Sequence, residues 1–269
     1  MSAAARPTRG LVALTLPLIL FLAVPVIGLV ARALFGGGLL AALASPVVLD
    51  ALRLSLVTTA ISLGLALALG TPLAYMLARR SFRGSSLVET AVDLPIVLPP
   101  SVAGLALLFV FGRTGLLGGA FETFGISIPF TTFAVILAQL FVAAPFFVRS
   151  ARAGIAGVDR DVEDAARVDG ASERQVFRWV TASLAGPALA AGAVMCWSRA
   201  LGEFGATIMF AGNIEGRTQT LPLVVYSEFG GGDLDASVAA AAILVLAAFG
   251  VLVSVRFLRW GRALDVRGS

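Results

Sequence analysis

The sequence predicts an all-α integral membrane protein, with six transmembrane helices and a short cytoplasmic helical segment between spans four and five. Three observations carry that prediction. Hydrophobic residues make up 58% of the 269 residues and charged ones only 13%, against about 25% charged in a soluble domain. Six apolar runs approach or exceed the roughly 20 residues that a helix needs to cross a bilayer. Between the fourth and fifth runs, residues 159–178 gather charge of both signs into one polar island. Residues 1–269 read as one transmembrane unit, a flanking first helix at 11–31 followed by core spans from about 54 to 255.

In the first run, 11–31, Arg6 and Arg9 precede a charge-free stretch of 22 residues from Gly10 to Ala31. Secretory signals carry apolar cores of about 7–15 residues, so an uncleaved helix is expected. The second run, 54–78, follows Asp50 and Arg53, whose charges suit a headgroup surface. The third, 94–112, contains Pro95, Pro99 and Pro100 near one end. Proline removes a backbone donor, and spans tolerate that where neighbours or water satisfy the freed carbonyl; a kink beside a pathway is expected. The fourth run is 130–148 and the fifth 184–202, with Pro187 near its start. Residues 220–232 are apolar enough to dip into the membrane or form a short outer helix. The sixth run is 236–255.

All 20 basic residues are Arg; there is neither Lys nor His. A P-loop lysine, Ser-His-Asp triads, His-ligated zinc and His proton relays are therefore excluded. Cys196 is the only cysteine, so there is no disulfide framework; no catalytic or metal-binding set is expected. With the N-terminus in the cytoplasm, six spans return the C-terminus there. Fifteen arginines then lie inside and five (Arg32, Arg53, Arg113, Arg199, Arg217) elsewhere, a strong positive-inside bias. The basic excess thus reports topology rather than nucleic-acid binding. No internal repeat is evident, which argues against secondary transporters built from inverted halves.

Within the island, apolar residues recur at Val162, Ala165, Ala166, Val168, Val176, Phe177 and Val180. Gly170 separates two short helices, and Ser172 with Gln175 forms a capping-box pattern. A part-apolar, part-charged helix suits a groove on another protein. A loop lying on lipid headgroups is the alternative, but Asp159, Asp161, Glu163, Asp164, Asp169 and Glu173 would face an anionic inner leaflet.

Asp164-Ala165-Ala166, followed after three residues by Gly170, resembles the EAA loop of permease subunits in ABC importers, with Asp in the Glu position. The second half of that pattern is degenerate, Val180-Thr181-Ala182-Ser183 standing where the family has an Ile-x-Leu-Pro element. Two further blocks are similar to molybdate/tungstate permeases, with sulfate and thiosulfate permeases as near relatives. One is Leu94-Pro95-Ile96-Val97-Leu98-Pro99-Pro100-Ser101-Val102-Ala103-Gly104, followed by Phe111-Gly112-Arg113-Thr114-Gly115. The other runs from Ser198-Arg199-Ala200-Leu201-Gly202-Glu203 through Ala206-Thr207-Ile208-Met209-Phe210-Ala211-Gly212-Asn213 to Arg217-Thr218-Gln219-Thr220-Leu221-Pro222.

The resemblance, over about residues 52–256, implies a transport subunit of the bacterial cytoplasmic membrane rather than an enzyme. It implies a homodimer in membrane lipid, a dimer of ATPase subunits that uses ATP and magnesium, and a periplasmic or lipid-anchored oxyanion-binding protein. The chain itself would bind no cofactor. The EAA loop, 158–180, would dock the ATPase through Glu163, Asp164, Ala165, Ala166, Asp169, Gly170 and Ala171.

The translocation path or gate is expected among Pro99, Pro100, Ser101, Gly104, Arg199, Glu203, Thr207 and Asn213. Arg199 and Glu203, four apart, share a helix face; they either guide a passing dianion or pin the helix end as an ion pair. Pro99, Pro100, Ser101 and Gly104 either expose backbone N–H groups to an anion or shape close helix packing. Two other classes compete with this reading. An intramembrane aspartyl protease would pair Asp233 of Gly230-Gly231-Gly232-Asp233 with Asp93, although a turn explains those glycines better. A self-sufficient channel or secondary transporter would need mid-span carboxylates.

Overall fold

The computed structural model describes residues 9–265, and every described element is helical. Among the described residues, four helices are long and apolar enough to cross a membrane: α1 (Arg9–Phe35), α3 (Pro46–Arg79), α7 (Thr132–Ala156) and α14 (Leu234–Asp265). A short helix, α2 (Gly38–Ala44), links the first two. Pro46 opens α3 and Pro17, Pro25, Pro72 and Pro145 lie inside spans, as the bilayer allows.

The third expected run is two helices with a sharp break between them. The helix begins earlier, as α4 (Ser85–Val97), stops at Leu98–Pro99, and restarts as α5 (Pro100–Phe111) at an angle of 120°. Consecutive prolines cannot donate to the preceding turn, so the ladder ends there. With 12 residues, α5 is about 18 Å long, short of a hydrocarbon core of about 30 Å. A further short helix, α6 (Gly118–Thr123), precedes α7.

The fifth expected run is broken as well. After α8 (Arg160–Val168) come α9 (Glu173–Gln175), a π-helical turn (Val176–Thr181) and α10 (Ala182–Leu184), then α11 (Gly186–Leu201). The last lies at 74° to the 173–184 segment. Pro187 falls in its first turn, where a missing N–H costs nothing. The chain turns again through Gly202–Phe204 into α12 (Gly205–Phe210). Residues 220–232 fold as α13 (Leu221–Gly231), whose Leu221, Leu223 and Val224 are buried.

Small residues set the packing. Ala66, Ala74, Ala143, Phe147, Ala151, Ala185 and Ala200 join α3, α7 and α11 in one core. A second core joins α5, α7 and α12 through Ala103, Leu107, Ala138, Ala206 and Phe210. A third joins α2, α3, α13 and α14 through Val48, Ala51, Leu221, Ala239 and Ile243. Where lipid removes the usual hydrophobic drive, such small residues permit the close contacts that hold spans together. Hydroxyls add interhelical bonds: Ser62 donates to the Ile136 carbonyl at 3.1 Å, Ser150 to that of Ala188 at 2.8 Å, and Ser55 accepts from the Leu221 N–H at 2.8 Å.

Candidate coupling loop and translocation elements

The polar island folds as a capped, self-paired helical hairpin. Asp159 caps α8, accepting from the Asp161 N–H at 3.0 Å; Asp161 and Glu163 occupy the first turn and Arg167 the last, matching the helix dipole. At the other end Gly170 has φ +90°. Its N–H reaches the Arg167 carbonyl and that of Ala171 reaches Ala166, both at 3.0 Å, which is a Schellman ending that satisfies two terminal carbonyls. Gln175 Oε1 accepts from the Ser172 N–H at 2.8 Å and its hydroxyl at 2.7 Å.

Arg167 ties the two arms together. It contacts Asp164 at 2.6 Å and grips both Glu173 oxygens, at 2.7 and 3.2 Å. That hydrogen bonding holds the Glu173 carboxyl below the usual carboxylate range and raises the Arg167 guanidinium further.

Of the residues assigned to docking, Asp164, Ala165, Asp169 and Gly170 are exposed, and Ala166 and Ala171 are half-buried. Val162, Val168 and Trp179 add exposed apolar surface to the same segment. Glu163 differs: it points into the fold, 2% exposed, and pairs with Arg79 at 2.8 Å. Its partners, Arg79 and Thr181, were missed on sequence, because an arginine ending an apolar run reads as a topology signal.

The break before α5 meets the turn before α12. A Cβ on Gly205 would fall 2.7 Å from Pro100 Cβ and 3.1 Å from the Ser101 nitrogen, and one on Gly104 would fall 2.7 Å from the Ala206 carbonyl oxygen. The start of α5 therefore lies against the start of α12, and Gly104 does serve close helix approach. Gly205 completes that crossing, and sequence reasoning passed over it. Immediately before α12, Glu203 is 1% exposed. Its Oε1 accepts from the Ala206 N–H at 2.7 Å, while Oε2 sits 2.7 Å from Arg199 Nη1 with no hydrogen aligned on it. The pair sits at the turn into α12, and the Arg199 side chain keeps 27% exposure.

Thr207, on α12, is buried with its hydroxyl unpartnered. Asn213 lies beyond α12 and donates to Ser227 Oγ at 2.7 Å; it ties a loop to α13 rather than joining the break. Asp233 caps α14, accepting from the Ala236 N–H at 2.8 Å, behind Gly232 at φ +86°. Asp93 sits 3.6 Å from Arg149 at the end of the bundle that carries α8. Both carboxylates thus have local partners, and the Gly-Asp sequence is a turn. No group of His, Cys, Asp or Glu suited to a metal occurs among the described residues.

The family described as binding-protein-dependent transport system inner membrane component matches residues 70–263. The chain belongs to that family. The match takes in α8 and both helix breaks, and makes this a multi-pass transport subunit of the inner membrane. The chain is 44% identical over 205 residues to the molybdenum transport system permease protein ModB of Mycobacterium tuberculosis, covering 76% of this chain and 77% of that one. It is 36% identical over 242 residues to the molybdate/tungstate transport system permease protein WtpB of Pyrococcus abyssi, covering 90% and 91%. In fold the permease is similar to the crystal structure of a bacterial ABC transporter that imports alginate, with TM-score 0.73, 19% identity, and 92% and 94% of the two chains covered. Against the methionine transporter MetNI the TM-score is 0.57 at 20% identity, over 78% and 92%.

Proposed function

We propose that this permease is the membrane-spanning subunit of an ABC importer for molybdate or tungstate. The observation that carries the reading is its identity of 36–45% to permeases named for molybdenum, molybdate or tungstate transport. The outward hairpin of α8 and α9 supports it as the surface an ATPase grips. Two copies enclose the path, each contributing the four long helices and the two bent pairs as six spans. Both termini lie in the cytoplasm, where the positive-inside rule puts fifteen of the twenty arginines. Two ATPase subunits, which use ATP and magnesium, hold the 158–180 loops; this chain binds no cofactor. A periplasmic or lipid-anchored oxyanion-binding protein docks on the opposite face.

The transport step needs no covalent chemistry from this chain. ATP binding closes the ATPases, draws the loops together and opens the path outward; hydrolysis resets it. The nucleotide state biases a bundle with two arrangements. Asp164, Ala165, Ala166, Asp169, Gly170 and Ala171 form the gripped surface. Pro99, Pro100, Ser101, Gly104, Glu203 and Thr207 shape the meeting of broken helices at the path, where irregular backbone is tolerated in a membrane. Arg199 offers the passing dianion its exposed guanidinium edge. Molybdate and sulfate are both tetrahedral dianions, so discrimination belongs to the binding protein's fitted cage.

Uptake of labelled molybdate by the reconstituted complex, measured against a large excess of sulfate, tests the substrate. Unchanged uptake is expected; suppression by sulfate moves the assignment to the sulfate relatives.

A further inference from the structure

Glu163 is the one acidic residue of α8 turned fully inward, and its contacts join three elements. Its side chain is 3% exposed and that of Arg79, the last residue of α3, is 8% exposed. Arg79 Nη2 lies 2.8 Å from Glu163 Oε1 and also donates to the Val158 carbonyl at 2.9 Å. The same Oε1 accepts from the hydroxyl of Thr181 at 2.5 Å, the final residue of the π-helical turn. One turn back on α3, Tyr75 meets Phe177 edge-on with ring centroids 5.2 Å apart. A single carboxylate oxygen thus links the end of α3, the middle of α8 and the turn that leads to α11.

Stability alone is a weak reason for this arrangement. Desolvating two charges offsets most of their attraction, and apolar side chains of similar volume commonly hold a fold as well or better. What a charge-assisted pair adds is direction, because its hydrogen bonds are short and tolerate little sliding. The π-helical turn strengthens the point: such turns are rare and concentrate at functional sites, and this one ends on the hydroxyl that completes the contact. The rest of α8 is largely exposed, so a displacement of α8 reaches α3 through this carboxylate.

We infer that Arg79, Glu163 and Thr181 form the joint that delivers movement of α8 to α3 and, through the π-helical turn, to α11, making Glu163 a positioning residue for transport instead of a docking contact. The inference rests on the ABC-importer reading above. It is tested in proteoliposomes holding the complete complex, by measuring molybdate uptake and ATP hydrolysis together. Two variants are used: Thr181→Val, which keeps shape and removes one donor, and the double variant Arg79→Met with Glu163→Leu, which leaves no buried charge unpaired. Both are expected to bind the ATPase and hydrolyse ATP as the unmodified complex does. Molybdate moved per ATP should fall by roughly tenfold, the scale of losing a hydrogen bond to a charged group. If the double variant fails to assemble, Thr181→Val decides alone. An unchanged ratio in an assembled variant overturns the joint and leaves the importer reading standing. An unmodified complex without ATP-dependent molybdate uptake removes that reading and the joint with it.

Discussion

At the scale of single residues, Gly170 and Arg199 carry the sharpest consequences. Gly170 sits at φ +90°, and a Cβ placed on it would have no atom within 4 Å, so a side chain there meets only backbone strain. Gly170→Ala should cost about 1–2 kcal/mol in the α8–α9 turn and weaken ATPase binding, measured as affinity in detergent. Gly170→Asp adds charge to the same surface and should uncouple uptake or block docking; full uptake with retained ATPase binding would contradict the docking role. For Arg199 the informative change is Arg199→Gln together with Glu203→Gln. Glutamine at 203 still caps α12 through the Ala206 N–H, and no buried charge is left alone. Near-complete loss of uptake with normal assembly is expected if Arg199 guides the dianion; retained uptake would reduce the pair to pinning the helix break.

The Arg167 clamp also has a definite pH dependence. Hydrogen bonding to Arg167 lowers the Glu173 carboxyl from its ordinary 4.5. Its contribution is therefore fully present above that ordinary value and is lost as pH falls through the lowered folded value. Amide exchange across residues 170–175, corrected for its intrinsic rate, should rise only in that acid window and stay flat from about pH 5 to 8.

At the scale of elements, the long helices were legible because a bilayer demands about 20 apolar residues and little else. The structure keeps the first, second, fourth and sixth runs near their expected places and extends each toward its capping or charged end, as α3 extends back to Pro46 and α7 on to Ala156. The breaks were legible only in part. Pro99 and Pro100 announce an interruption, but neither the 120° angle nor the close approach of α5 to Gly205 and Ala206 of α12 follows from any local pattern. The π-helical turn has no sequence signature at all. The burial of Glu163 was illegible for a similar reason: it is next to Asp164 on the helix, and only the position of Arg79 decides which of them turns inward. The element-level prediction concerns the seat. Gly205→Val places a Cβ 2.7 Å from Pro100 Cβ and should cost about 1–3 kcal/mol as overpacking, lowering the thermal midpoint of the purified permease while leaving the α8–α9 hairpin intact.

At the scale of the whole molecule, the chain presents far more apolar surface than a closed bundle needs. Exposed side chains include Phe21 and Leu18 on α1, Leu69 on α3, Phe109 on α5 and Phe249 on α14. Lipid and a second copy are the proposed neighbours for those faces. These charged groups sort differently: self-paired on α8 and α9, paired and buried where α8 meets α3, and paired again at the α11–α12 break. That distribution fits a machine whose energy arrives from outside the chain: among the described residues the buried carboxylates are Glu163, committed to Arg79, and Glu203, committed to Arg199 and α12. Uptake of labelled molybdate into proteoliposomes, with and without the ATPase, the binding protein and vanadate, tests this most directly. The account predicts uptake that requires both partners and ATP and stops with vanadate. Uptake by this chain alone, indifferent to ATP and vanadate, would contradict it.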